Sequence, residues 1–252
     1  MDDLAAAQAG DEAAFAPRPG RRPPTCGRDY AARVAEPVVL SGVHAVKHAV
    51  RFGARLDRVV SADPAAALRL LAAVAPDVTV NVSPAPVEEV VRLAGAPVEL
   101  VGLAGRPSAV PPGRGPTVLL DNPRHLGNLG AVVRVAAGFG AREVLTTGTV
   151  DPWHPTVVRA AAGLHYAVPV RRITDLPDAV VGFDPAGDDL RTVRLPADAV
   201  LAFGSERHGL SAEVRARASR LVAIPIRDRV SSYNLATSVA VALYAWTAAG
   251  GG

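Results

Sequence analysis

What most constrains this chain is an alternation that begins at Val38 and runs almost to its end: apolar runs of strand length separated by amphipathic stretches of helix length. An apolar run too short for a helix and bounded by turn residues reads as a strand, while apolar residues three and four apart read as a helix face. In the first half, "VVL", "GVHAVKHAVRFG", "LDRVVSA", "PAAALRLLAAVA", "VTVNV" and "APVEEVVRLAG" read in turn as strand, helix, strand, helix, strand and helix. This predicts a small α/β domain over residues 38–104. The Pro- and Gly-rich stretch that follows has no apolar period and predicts a linker at residues 105–116.

From Thr117 the alternation resumes. "TVLLD", a helix through "LGAVVRVAAGFG", "EVLTT", a helix near Thr156 to Gly163, "AVPVRR", a short helix, "AVVGFD", "AVLAFG", a helix from Ser211, "LVAIPI" and a final helix from Ser232 follow one another. Repeated β–α units predict an α/β fold with a mostly parallel sheet, helices on both faces, over residues 117–252. Such sheets bind ligands at the carboxyl ends of their strands, and Asn122, Gly204 and Ile226 each fall just past one.

Residues 1–37, with "APRPGRRPPTCGR" at their centre, read as a flexible N-terminal arm whose Arg18, Arg21 and Arg22 are either solvated or in touch with a polyanion. Cys26 is the single cysteine, which points to a reducing compartment. Asp2 and Asp3 do not open a secretory signal, and the apolar run from Leu235 to Ala249 is too short for a membrane span, so the expected location is cytoplasmic. The formal charge is +3 and Lys47 is the sole lysine. An arginine-dominated chain is compatible with nucleic acid, and aromatic residues at 4% leave no array of rings for base stacking.

Three loops carry the chemistry. "FGSERHGLS", Phe203 to Ser211, has the two glycines of a phosphate loop, but Leu210 stands where the phosphate-binding lysine belongs. The Gly-x-Gly-x-x-Gly of a dinucleotide loop is missing too, which argues against a nucleotide-dependent dehydrogenase. Glu206 instead presents a carboxylate at a strand end. "DNPRHLGNLGAVVRVAAGFG" leaves a strand and enters a helix with Asn128 at the expected N-cap, and Arg134 follows among Val132, Val133, Val135, Ala136 and Ala137. "IPIRDRVSSYNLATSVAVALYAW" sets Ser231, Ser232 and Asn234 before an apolar helix that is either buried all round or packed on a partner. Each loop, taken singly, also has a plain structural reading: a solvated arginine, a turn, a cap.

Together, and in this order, the three loops resemble the SpoU (TrmH-like) branch of the SPOUT RNA methyltransferases. The resemblance covers residues 117–247, and "LSGVHAVKHAV" also looks like the opening of that family's RNA substrate-binding domain. It implies a trefoil knot, a homodimer, S-adenosylmethionine as cofactor, and methyl transfer to a ribose 2′-hydroxyl of rRNA or tRNA. It further implies that Asn128, Arg134, Glu206, Ser232 and Asn234 form the catalytic set. Thr147, Phe203, Gly204, Ile224, Ile226 and Leu235 would hold the cofactor. A sulfonium cofactor carries no phosphate, so the missing lysine is expected. The motif-one arginine is commonly assigned as the base, yet a guanidinium stays charged, so Arg134 is expected to stabilise developing charge.

Tyr233 stands where Leu or Met is more familiar, and "ERH" places His208 where a smaller or less basic residue often sits. Both bear on the substrate pocket. His44 and His48 lie four apart on a helix but lack the Glu of the zinc-protease helix and a third ligand, so no metal is expected. Arg171, Arg172, Arg227 and Arg229 are solvated charges or RNA contacts. The alternative reading is a non-catalytic RNA-binding or ribosome-assembly protein that keeps the fold.

Overall fold

The computed structural model describes residues 37–251. Expectations placed on the arm, including Arg18, Arg21, Arg22 and Cys26, lie outside the described residues.

The first sheet has four strands in the order β1-β4-β2-β3. β1 (Val38–Ser41) and β2 (Leu56–Ser61) flank β4 (Val101–Ala104) antiparallel, and β3 (Ser83–Pro84) lies parallel to β2. Helices α1 (Val43–Arg51), α2 (Pro64–Val74) and α3 (Val87–Ala94) connect them. Two expectations need correction. "VTVNV" is not a strand: Val78, Val80 and Val82 pack on the core, but pairing is confined to Ser83 and Pro84 at the sheet edge, where proline is tolerated. Val101–Ala104, unread because its glycine merges with the loop beyond, is instead the central strand.

The second sheet has six strands, all parallel, in the order β10-β8-β9-β5-β6-β7. They are β5 (Thr117–Leu120), β6 (Val144–Thr146), β7 (Val170–Arg172), β8 (Val180–Asp189), β9 (Val200–Phe203) and β10 (Ala218–Ala223). Every residue of β5 is buried, as befits a parallel strand covered on both faces. Helices α4 (Leu126–Gly138), α5 (Pro155–Ala160), α6 (Ala212–Ala216) and α7 (Leu235–Trp246) do the covering. The chain builds outward from β5 through β6 to β7, then returns on the other side of β5. The switch point therefore falls between β5 and β9, where a ligand crevice is expected.

The short helix expected before β8 is absent: Pro177 interrupts the segment, and Arg217 donates to the carbonyls of Leu176 (3.1 Å) and Pro177 (3.5 Å) that a helix would have used. α7 begins at Leu235 rather than Ser232 because Asn234 is its cap, accepting from the Ala236 amide at 2.9 Å. This helix is not buried all round: Leu235, Val239, Ala242, Leu243 and Trp246 face the core, while Val241 and Tyr244 are exposed.

Contacts tie the two sheets together. His48 Nδ1 lies 2.9 Å from the Ala162 carbonyl, the Tyr166 hydroxyl donates to the Gly105 carbonyl at 2.8 Å, and Val158 and Tyr166 join the core of the first sheet. Gly163, at φ 75, lies so close to the Ala45 carbonyl that a Cβ there would overlap it. Among the described residues, no helix is long and apolar enough to cross a membrane.

Candidate active site

β5 is followed at the switch point by Asp121, which is buried and braces three strand ends. Its carboxylate accepts from the Ser211 amide at 2.6 Å, beyond β9, and from the Thr147 hydroxyl at 3.2 Å, beyond β6. Its own amide donates to Phe203 O at 2.8 Å. The Thr147 oxygen accepts in turn from the Asn122 amide at 2.9 Å.

The loop after β9 closes on itself. Ser205 and Gly209 each donate an amide to the other's carbonyl at 3.0 Å, so these backbone donors are spent inside the loop and cannot cradle a phosphate. Gly204 admits no other residue, since a Cβ there would overlap the backbone of Gly209 and Leu210. Ser211 caps the next helix, accepting from the Val214 amide at 3.3 Å. What the loop presents is the Glu206 side chain.

Glu206 begins a relay that links all three loops through Asn128. Its Oε1 accepts from Asn128 Nδ2 at 2.8 Å, and Asn128 Oδ1 accepts from Asn234 Nδ2 at 3.0 Å. Asn234 Oδ1 caps α7. Asn128 is therefore not a helix cap, contrary to expectation: α4 starts two residues earlier, after His125, and the Asn128 amide is drawn sideways to its two neighbours. Glu206 Oε2 is buried and has no protein partner. A buried carboxylate oxygen left this way costs free energy until something donates to it.

Beside this relay lies a cavity of about 650 Å³, bordered by Phe203, Gly204, Ile224, Ile226 and Leu235, with Glu206, Ser232 and Asn234 at its polar side. Thr147 and Asn128 do not border it; Asn128 holds Glu206 and Asn234, which do, while Thr147 bonds to Asp121 and Asn122 behind it. Arg134 stands apart. It lies six residues beyond Asn128 on α4, about 9 Å along the axis, exposed, and with no hydrogen bond or ion pair among the described residues. Its charge is felt instead at His48, whose pKa is lowered first by burial and further by Lys47, His44 and Arg134.

Sequence reasoning passed over several residues here. Between Gly182 and Asp188 the register of β8 against β10 breaks, and Phe183, Asp184 and Pro185 turn to the cavity. Phe183 stacks on Phe203 with centroids 4.5 Å apart and planes 11° apart. Asp184 accepts from the Ala186 amide at 3.0 Å and pairs with Arg215. Asp121 was also missed, although an acid directly after an apolar buried strand was a signal to follow.

The cavity is thus bordered by β8 and by the loops after β9 and β10, and the loop after β5 is tied to its rim through Asn128. The crystal structure of the SpoU methyltransferase AviRb from Streptomyces viridochromogenes matches with a TM-score of 0.71 over 85% of this chain and 90% of that one, at 24% identity, which shows the fold. AdoMet-bound rRNA methyltransferase from Sinorhizobium meliloti matches with a TM-score of 0.66 over 84% and 87%, at 25% identity. The chain belongs to the SpoU rRNA Methylase family, whose profile matches residues 115–244. Among curated proteins, an uncharacterized tRNA/rRNA methyltransferase of Synechocystis sp. is 33% identical over 139 residues, 50% of this chain and 51% of that protein. The 23S rRNA (uridine(2479)-2′-O)-methyltransferase of Streptomyces viridochromogenes is 30% identical over 144 residues, 50% of each. The chain thus matches about half the length of these two relatives.

Proposed function

We propose that the chain is an S-adenosylmethionine-dependent methyltransferase acting on a ribose 2′-hydroxyl of rRNA or tRNA, as a homodimer with a trefoil-knotted cofactor pocket. The observation that carries this reading is the relay Glu206–Asn128–Asn234, which draws three strand-end loops onto one cavity. The residues fit the cofactor. Phe203, Ile224, Ile226 and Leu235 give an apolar wall, the volume suits a nucleoside-sized ligand, and the free oxygen of Glu206 suits a cationic one. Bound there, S-adenosylmethionine supplies an electrophilic methyl group on a sulfonium. The chain supplies alignment, with Ser232 and Asn234 at the mouth orienting the ribose, and alignment alone is worth a large part of such a rate. On this reading the first sheet, residues 38–104, binds RNA, residues 105–116 link it, residues 117–252 carry the methyl transfer, and Thr147 serves the cofactor from behind the cavity.

Arg134 is assigned to stabilising the developing alkoxide or gripping the adjacent phosphate. Because it lies off the cavity of its own chain, it would serve the cavity of a second copy, packed against the exposed Val241 and Tyr244 of α7. Mixed dimers of Arg134→Ala with Glu206→Gln then regain activity that neither variant has alone; mixtures that stay inactive overturn the trans arrangement. Near-wild-type turnover of Arg134→Lys would contradict a need for the planar fork. The reading as a whole is tested by calorimetric titration with S-adenosylmethionine and by mapping ribose methylation in total RNA from cells with and without the gene. No binding and an unchanged map would leave only a non-catalytic RNA-binding protein.

A further inference from the structure

Tyr233 is left over from the machinery described so far. It borders the cavity and is 42% exposed, and its hydroxyl donates to the Pro225 carbonyl at 3.0 Å. That bond fixes the ring across the loop that enters α7. The next residue, Asn234, is held by Asn128 and by its cap on α7, so the ring stands on a stiff base. The sequence has four tyrosines, five phenylalanines and two tryptophans, and those with a core role, such as Phe203, Tyr166 and Trp246, are buried. A ring kept at a cavity mouth, with its polar tip satisfied, has lost its rotational freedom before any ligand arrives.

The surroundings say which ligand suits it. Arg207 borders the same cavity, Arg227 and Arg229 flank the loop, and all three are exposed without a side-chain hydrogen bond or ion pair among the described residues. A fixed aromatic face beside unpaired guanidinium groups matches a flat, uncharged group carried on a polyanion. We propose that Tyr233 is the platform on which the base of the methylated nucleotide stacks, and thereby a specificity-determining residue. One ring at the site of reaction replaces the array of rings that the composition rules out. The inference rests on the RNA methyltransferase reading.

The test uses the full chain as wild type, Tyr233→Ala and Tyr233→Phe. Each is titrated with fluorescein-labelled heptaadenylate and with an abasic ribose-phosphate heptamer of equal length and charge. Stacking predicts that Tyr233→Ala loses about tenfold in affinity for heptaadenylate, while Tyr233→Phe, which keeps the ring face but loses the bond to Pro225, loses less. The abasic oligomer should bind all three alike. Equal losses on both oligomers, or a loss on neither, overturn the proposal. It also falls if Tyr233→Ala shifts only the dimer dissociation measured by sedimentation, which would make Tyr233 a contact between copies. S-adenosylmethionine binding, measured by calorimetry on the same proteins, separates the two readings. If the wild type does not bind it, the proposed function fails; if only Tyr233→Ala does not, Tyr233 belongs to the cofactor wall and this inference fails.

Discussion

Replacing Asn128 by alanine should loosen three loops at once. The substitution removes the donor to Glu206 Oε1 at 2.8 Å and the acceptor of Asn234 Nδ2 at 3.0 Å. A hydrogen bond to a charged group contributes roughly 1.5–3 kcal/mol and a neutral one about 1 kcal/mol. Asn128 is only half-buried, so water recovers part of this, and a net loss of about 2 kcal/mol is expected. For a unit of this size that corresponds to a fall in Tm of roughly 4–8 °C. If the same loss is felt where the cofactor binds, S-adenosylmethionine affinity drops about 30-fold. Thermal melts followed by circular dichroism, with calorimetric titration of the cofactor, measure both. Asn128→Asp adds a sign check. It keeps the acceptor for Asn234 but sets a second carboxylate against Glu206, so one of the two must hold a proton. Its stability deficit should grow as pH rises through the carboxylate range and shrink in mild acid. The reasoning is wrong if Asn128→Ala melts with the wild type and binds cofactor equally well.

Gly204→Ala forces a Cβ into the backbone of Gly209 and Leu210 and should cost about 1–3 kcal/mol, with the cofactor affinity lost, by the same melts and titrations. His165 is fully buried and burial pushes its pKa down to about 4. The unfolded chain, with a histidine near 6.5, binds the proton first, so stability present above about pH 6.5 is lost as pH falls towards 4, by about 3 kcal/mol. Urea melts across that window should show the loss, and His165→Phe should flatten it. Trp246→Phe removes the indole donor to the Pro196 carbonyl at 3.2 Å and should cost about 1 kcal/mol in the same melts, without touching cofactor affinity.

β5, β6 and β9 were legible as compact apolar runs, since burial on both faces demands little else of a strand, whereas β7 continues into the exposed Arg171 and Arg172, and β10 starts at Ala218, ahead of the run "LVAIPI". "VTVNV" misled because its valines are buried as a strand's would be while its backbone pairs with nothing, and composition does not report pairing. At the site, Glu206 and Asn234 were readable from their place at the ends of apolar runs. The bonds of Asn128 were not readable, since local capping and a long-range partner compete for the same amide, and Glu206 is 78 residues away. The side of α4 on which Arg134 emerges, and its distance from the cavity, depend on how α4 crosses the sheet, which no local pattern encodes. Phe183 and Asp184 were hidden for a related reason: a break in strand register leaves no mark in hydropathy.

The ring closed by Ser205 and Gly209 separates two kinds of change that evolution can make. Because the ends clasp each other through main-chain atoms, Arg207 and His208, both exposed, can be exchanged while the clasp and the neighbouring strands keep their shape. Gly204, one step outside the clasp, has no such latitude. Lineages sharing this architecture are therefore free to change what the rim of the cavity displays by swapping a short cassette of side chains, leaving the chassis untouched.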